Sequence, residues 1–181
     1  MRMESWVHEP GSTLNQSVEA DTELIGLERV SKIVDDLRRW ADPYVLASWV
    51  VSEVDAFGYG GIIDGTFDQM PESDPRALLS ILTYSYAIGI YSSEDIVRNC
   101  RTNEAFDALS GGRFLFRHEL KWFRCRHRPQ LIELVSRVFI RAICEWYGVG
   151  RTDVAPYLER YLRRLAVERL DVARHLDTVD E

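Results

Sequence analysis

The run Ser73-Asp74-Pro75-Arg76-Ala77-Leu78-Leu79-Ser80-Ile81-Leu82-Thr83-Tyr84-Ser85-Tyr86-Ala87-Ile88-Gly89-Ile90 decides the fold class. Ser73 or Asp74 can cap a helix, and Pro75 suits the first helical position, where its missing N–H costs nothing. The residues that follow are apolar nearly all round. A helix of that kind must be covered on every side, so it is expected at the centre of the fold. Gly89 near its end is expected to ease close packing. No strand signal competes along the chain, and the expected class is all-α, a compact multi-helix domain.

Helical spacing continues to either side. Leu24, Leu27, Val30, Ile33, Val34, Leu37 and Trp40 recur at steps of three and four, and Asp42-Pro43 ends that helix. Tyr44 to Val54 predicts a second helix, broken by the glycines from Gly58 to Gly61. Beyond the central helix, Ser92 or Ser93 can cap a short helix with Glu94 and Asp95 in its first turn. A second short helix carries Ala105, Phe106, Ala108 and Leu109 and stops at Gly111-Gly112. Residues 117–127 predict a basic helix with Leu120 and Phe123 inward and the bases outward. Pro129 opens a long helix that Gly148 and Gly150 close. A last amphipathic helix spans about Asp153 to His175. The organisation is thus a polar, flexible arm over 1–21, a helical domain over 22–148, and a C-terminal helical element over 149–181.

Composition narrows the function classes. Hydrophobic residues make up 46% of the 181, enough for a core. No apolar run is long enough to span a bilayer and the start lacks a signal-peptide stretch, so no membrane role and a cytoplasmic location are expected. Cys100, Cys125 and Cys144 form no CxxC pair, and the four histidines show no ligand spacing, so no metal or cofactor is expected. The three thiols are expected to be free and buried or half-buried. Asp64-Gly65-Thr66 sits in a connecting loop, and no nucleophile or acid–base constellation stands out. No catalytic residue is assigned, and the chain is not expected to be an enzyme.

The net charge of −7 argues against nucleic acid until its distribution is considered. Residues 1–60 hold 11 acids and 5 bases, and 61–112 hold 8 acids and 3 bases, whereas 113–128 hold 6 bases and 1 acid. Fields act over about 8–10 Å, so the local excess matters more than the total. Arg117, Lys121, Arg124 and Arg128 follow three- and four-residue spacing and share a helix face, which could track phosphates. Twenty of the 22 bases are Arg, the residue suited to bidentate phosphate and guanine contacts. Two short helices before a basic helix also match the size of a helix-turn-helix unit. The candidate DNA contacts are Arg113, Arg117, His118, Lys121, Trp122, Arg124, Arg126, His127 and Arg128. The alternative is a basic face packed against the acidic rest of the protein.

Five blocks in order carry a family resemblance: Val51-Ser52-Glu53-Val54-Asp55, Ser73-Asp74-Pro75-Arg76, the helix Leu82-Thr83-Tyr84-Ser85-Tyr86 with its end Gly89-Ile90-Tyr91-Ser92-Ser93, Glu104-Ala105-Phe106-Asp107-Ala108-Leu109-Ser110-Gly111-Gly112 and Phe123-Arg124-Cys125-Arg126-His127. Residues 42–146 resemble the N-terminal, InsH-like domain of bacterial DDE insertion-sequence transposases. The resemblance implies an all-helical domain that recognises transposon-end DNA. The chain departs from the family at Phe116-Arg117-His118-Glu119-Leu120, where an Asp-capped start is usual. It also has no stretch after Gly148 that could build the catalytic sheet. The expected function is that of a non-catalytic, transposase-derived protein that binds double-stranded DNA in a regulatory role or within a larger complex. The alternative is a helical protein-interaction module. Tyr157, Tyr161, Leu162 and Leu165 on the last helix are expected to bind a partner, most simply a second copy in a homodimer.

Overall fold

The computed structural model describes residues 26–58 and 74–179. The arm over 1–21, Leu24, Ser73 and the Asp64-Gly65-Thr66 loop lie outside the described residues. Helix α1 occupies 26–35 and, after a turn at Asp36, α2 spans Leu37–Trp40. Asp42 ends this pair and starts the next element: its side chain accepts from the N–H groups of Tyr44 and Val45, and Pro43 is the first residue of α3, Pro43–Phe57. Asp42-Pro43 is therefore both a stop and a start. Asp74 caps α4, Pro75–Ala87, by accepting from Arg76 N–H. Ser92 caps α5, Ser93–Thr102, and Asn103 caps α6, Glu104–Ser110. Then come α7, Arg117–Arg126, α8, Arg128–Tyr147, a 3-10 turn at Arg151–Asp153, and α9, Pro156–Val179. The described residues contain helices and no strand.

α4 is the central helix. Every residue from Ala77 to Ala87 is buried, and α3, α5, α6, α7, α8 and α9 all touch it. It stops at Ala87, short of Ile90. Gly89 takes φ 79°, and a Cβ there would meet only the Tyr91 hydroxyl, at 3.7 Å. Gly89 thus serves a turn that needs a left-handed residue and not close packing.

The last helix corrects the sequence reading. Leu162, Ala166, Leu170 and Ala173 are buried and belong to the same apolar cluster as Leu79, Tyr86 and Phe139. Their four- and three-residue steps form one seam, packed mainly along α8. Leu162 is therefore core and unavailable to a partner. Tyr161 and Leu165 pack at the margin of that core, and Tyr157 alone of the four is well exposed, at 44%. The stripe that suggested association is consumed by the chain's own domain, since apolar area is equally well removed from water by an intramolecular neighbour.

Arg169 breaks the apolar stripe in sequence but is buried in the fold. Its Nη1 donates to the carbonyls of Tyr86 (2.7 Å) and Ala87 (2.8 Å), the last of α4, and its Nη2 donates to Val34 O (3.2 Å) near the end of α1. Nη2 also meets Asp35 Oδ1 at 2.9 Å, and the guanidinium lies 4.8 Å from the Phe139 ring centroid. Terminal helix carbonyls have no partner within their own helix; the amides of Ile88, Gly89 and Ile90 reach Tyr84, Tyr86 and Ser85 O, and Arg169 adds a second donor to Tyr86 O and serves Ala87 O. Arg169→Ala should lower the unfolding free energy by about 3 kcal/mol, because Ala87 O loses its donor, Tyr86 O and Val34 O each lose a hydrogen bond, and the guanidinium's contact with Phe139 is lost. Asp35→Asn should cost less than ~1 kcal/mol, because that carboxylate is largely exposed. Urea unfolding of the two variants measures the difference.

Candidate functional site

The basic helix α7 starts at Phe116, whose side chain offers no acceptor. Glu119 supplies the missing cap by accepting from Phe116 N–H at 2.8 Å. Leu120 and Phe123 face the core, as their spacing predicts. The bases do not all face outward. Arg124 is 3% exposed: Nη1 donates to Ala173 O (2.7 Å) and pairs with Asp177 Oδ2 (2.6 Å), while Nη2 donates to Ser93 Oγ (2.8 Å). Its guanidinium lies 5.6 Å from the Tyr86 ring centroid. Lys121 Nζ donates to Asp177 O at 2.9 Å, and Arg128 Nη2 pairs with Asp171 Oδ1 at 2.9 Å. Arg117 lies 3.5 Å from Glu94 Oε2.

The face expected to track phosphates is thus turned toward α9 and α5. The cause is complementary charge: the C-terminal half of α9 offers backbone carbonyls and two carboxylates. Ala173 O and Asp177, together with Ser93, meet both terminal nitrogens of Arg124, leaving only its buried Nε without an acceptor. Arg124 is corrected from a DNA contact to a core residue. His127 is corrected likewise. It is buried, its ring 4.4 Å from that of Phe123, and burial followed by the nearby Arg126 charge holds its pKa below the ordinary 6.5. Within the block Phe123-Arg124-Cys125-Arg126-His127, only Cys125 and Arg126 are exposed, so most of this motif serves packing. Trp122 is half-buried against the core. Arg113, Arg117, His118 and Arg126 remain on the surface.

A different surface emerges beside them. Gly111 and Gly112 take φ 63° and 71°, and this double left-handed turn leads into the non-helical stretch 113–116, which reaches extended backbone at Phe116. Successive side chains of an extended stretch alternate, so Leu115 is buried while Phe114 and Phe116 are 76% and 57% exposed. A groove of about 600 Å³ separates this stretch from α5, with Val97 and Leu115 in its floor. Arg98, Arg101, Arg117 and His118 also line it, and His118 stacks on Phe116 with ring centroids 5.6 Å apart. A hollow of about 210 Å³ continues it past Arg113, Phe114 and Cys100. Glu94 and Asp107 are the acids along these two hollows. Sequence reasoning missed Phe114, Phe116, Val97, Arg98 and Arg101. The available signal was the alternation of Phe114-Leu115-Phe116 directly after two glycines.

Among the described residues no group of His, Cys, Asp and Glu could hold a metal ion, and no helix is long and apolar enough to cross a membrane. The cysteines are free. Burial pushes the Cys100 thiol up to about 11, whereas Cys125 is exposed, contrary to the buried or half-buried state expected. No protein-family model, curated protein or solved structure matches the chain, so the transposase resemblance stands on its sequence blocks alone.

His127 gives a pH test of this packing. Its folded pKa lies below its unfolded value, so stability is fully present above about pH 6.5 and is lost as pH falls and the unfolded chain takes up the proton. The wild type should therefore lose thermal stability between pH 7 and pH 5, and His127→Phe should flatten that slope. An unchanged slope would place His127 in contact with water.

Proposed function

We infer that this chain is a non-catalytic helical interaction module that captures an acidic, apolar polypeptide segment in the groove between α5 and residues 113–116. The observation that carries this reading is the pair of exposed phenylalanines, Phe114 and Phe116, beside an apolar floor ringed by arginines. Large apolar side chains held in water next to a concave apolar surface mark contact sites. Aromatic and Arg side chains are the types that dominate protein interfaces. Arg101 makes no ion pair among the described residues, and Glu94 lies 3.5 Å from Arg117, so the rim can accept further carboxylates.

The second reading is the transposase-like one, duplex DNA held by Arg113, Arg117, His118 and Arg126 in a regulatory role. Its support is the exposure of those four side chains, together with the five sequence blocks. It is the weaker reading because Lys121, Arg124 and Arg128 already have acceptors within the protein. A phosphate-tracking row needs adjacent cations whose release of counterions drives binding.

Fluorescence anisotropy on the full chain separates the two. A labelled peptide alternating Glu or Asp with Leu and Phe should bind, and Phe114→Ser/Phe116→Ser should weaken it by about tenfold or more. Random duplex DNA should bind only at low salt. The reading fails if duplex binds tightly at physiological salt, Arg113, Arg117 and Arg126 set the salt slope at ~0.9 per contact, and the phenylalanines are irrelevant.

A further inference from the structure

We propose that a second groove, between α8 and α9, is a binding site for a small phosphorylated anion. The groove has a volume of about 530 Å³ and shares no lining residue with the one beside Phe116. Arg137 reaches it from α8, Arg160 and Arg163 from successive turns of α9, and Arg151 from the 3-10 turn that precedes α9. Four arginines from three elements thus line one concavity. The carboxylates lining it are Glu133 and Glu159.

The donors outnumber the acceptors. Each guanidinium has five N–H donors. Glu133 is shared between Arg137, whose Nε donates at 3.0 Å, and Arg163, with which it also pairs. Arg151 Nη2 donates to Glu53 Oε1 at 2.9 Å and to Arg137 O at 3.2 Å. Glu159 and Arg160 make no ion pair among the described residues. These contacts hold Arg137, Arg151 and Arg163 in place while leaving most of the N–H groups of the four arginines unspent. Burial opposes ionisation of Glu133, but the hydrogen bonds from Arg137 and Arg163 outweigh it and hold the carboxyl below its ordinary range. The scaffold of the site therefore stays charged at neutral pH.

A planar guanidinium fork matches the oxygens of a phosphoryl group, and a doubly charged anion would be held by several forks at once. The four arginines line a single concavity instead of a long track, and the chain as a whole is acidic. Both features favour a compact anion over a nucleic-acid strand, which needs an extended cationic track.

Calorimetric titration of the full chain with pyrophosphate at low ionic strength tests this. Wild type should bind, Arg160→Ala/Arg163→Ala should bind at least about tenfold more weakly, and Arg39→Ala/Arg174→Ala should bind as wild type. The last pair makes the same charge change at exposed positions elsewhere. Arg160→Gln alone removes no intramolecular ion pair among the described residues, so it should lose affinity with an unchanged melting temperature. ATP in place of pyrophosphate then distinguishes sources: equal affinity marks phosphoryl recognition alone, and tighter binding adds a nucleoside contact. No binding by wild type, or an equal loss in both double variants, overturns the proposal.

Discussion

The guanidinium of Arg169 lies where two helices end. It supplies donors to the last carbonyls of α4 and to Val34 O of α1, from a position on α9 more than eighty residues later. A helix C-terminus carries unsatisfied acceptors and partial negative charge, so burying one requires a donor brought in from outside. α4 is buried from Ala77 to Ala87, and while the next amides serve Tyr84, Ser85 and Tyr86 O, the buried Ala87 O takes its donor from Arg169. The central helix therefore depends on the last one, and the seam of Leu162, Ala166, Leu170 and Ala173 supplies the apolar burial that keeps Arg169 in place.

Arg124 does the same in the other direction. It sits on α7 and reaches Ala173 O and Asp177 on α9 together with Ser93 at the start of α5. The two arginines thus tie α9 to α1, α4, α5 and α7 through buried charge, and breaking either leaves polar groups uncompensated. The functional consequence is that much of the basic window serves internal neutralisation. What reaches the surface is a mixed patch in which Phe116 and several arginines line a groove and Phe114 lines the hollow beside it, the arrangement on which the proposed peptide-binding role rests.

The sequence revealed α4, its Asp74-Pro75 start and the Gly111 and Gly148 stops, because continuous apolarity, capping and left-handed glycines are local properties. It placed Leu120 and Phe123 inward correctly. It did not reveal what the opposite face of α7 meets. Periodicity shows that Arg117, Lys121, Arg124 and Arg128 share a face, but not that Asp171 and Asp177, far along the chain, lie across from it. Arg169 looked like an interruption of an apolar stripe for the same reason: its acceptors are carbonyls, which no side-chain pattern displays. The groove beside Phe116 was hidden because three alternating residues are too few to register against helical spacing on either side.

The central claim is that α9 is part of the core and not a detachable accessory. Native-state hydrogen exchange tests it directly, because amides report the free energy of the opening that exposes them. Amides of Leu162, Ala166, Leu170 and Ala173 should exchange only through global unfolding, with the same free energy and denaturant dependence as those of Leu79 to Tyr86. Exchange of the α9 amides through a lower-energy opening, while α4 stays protected, would contradict it.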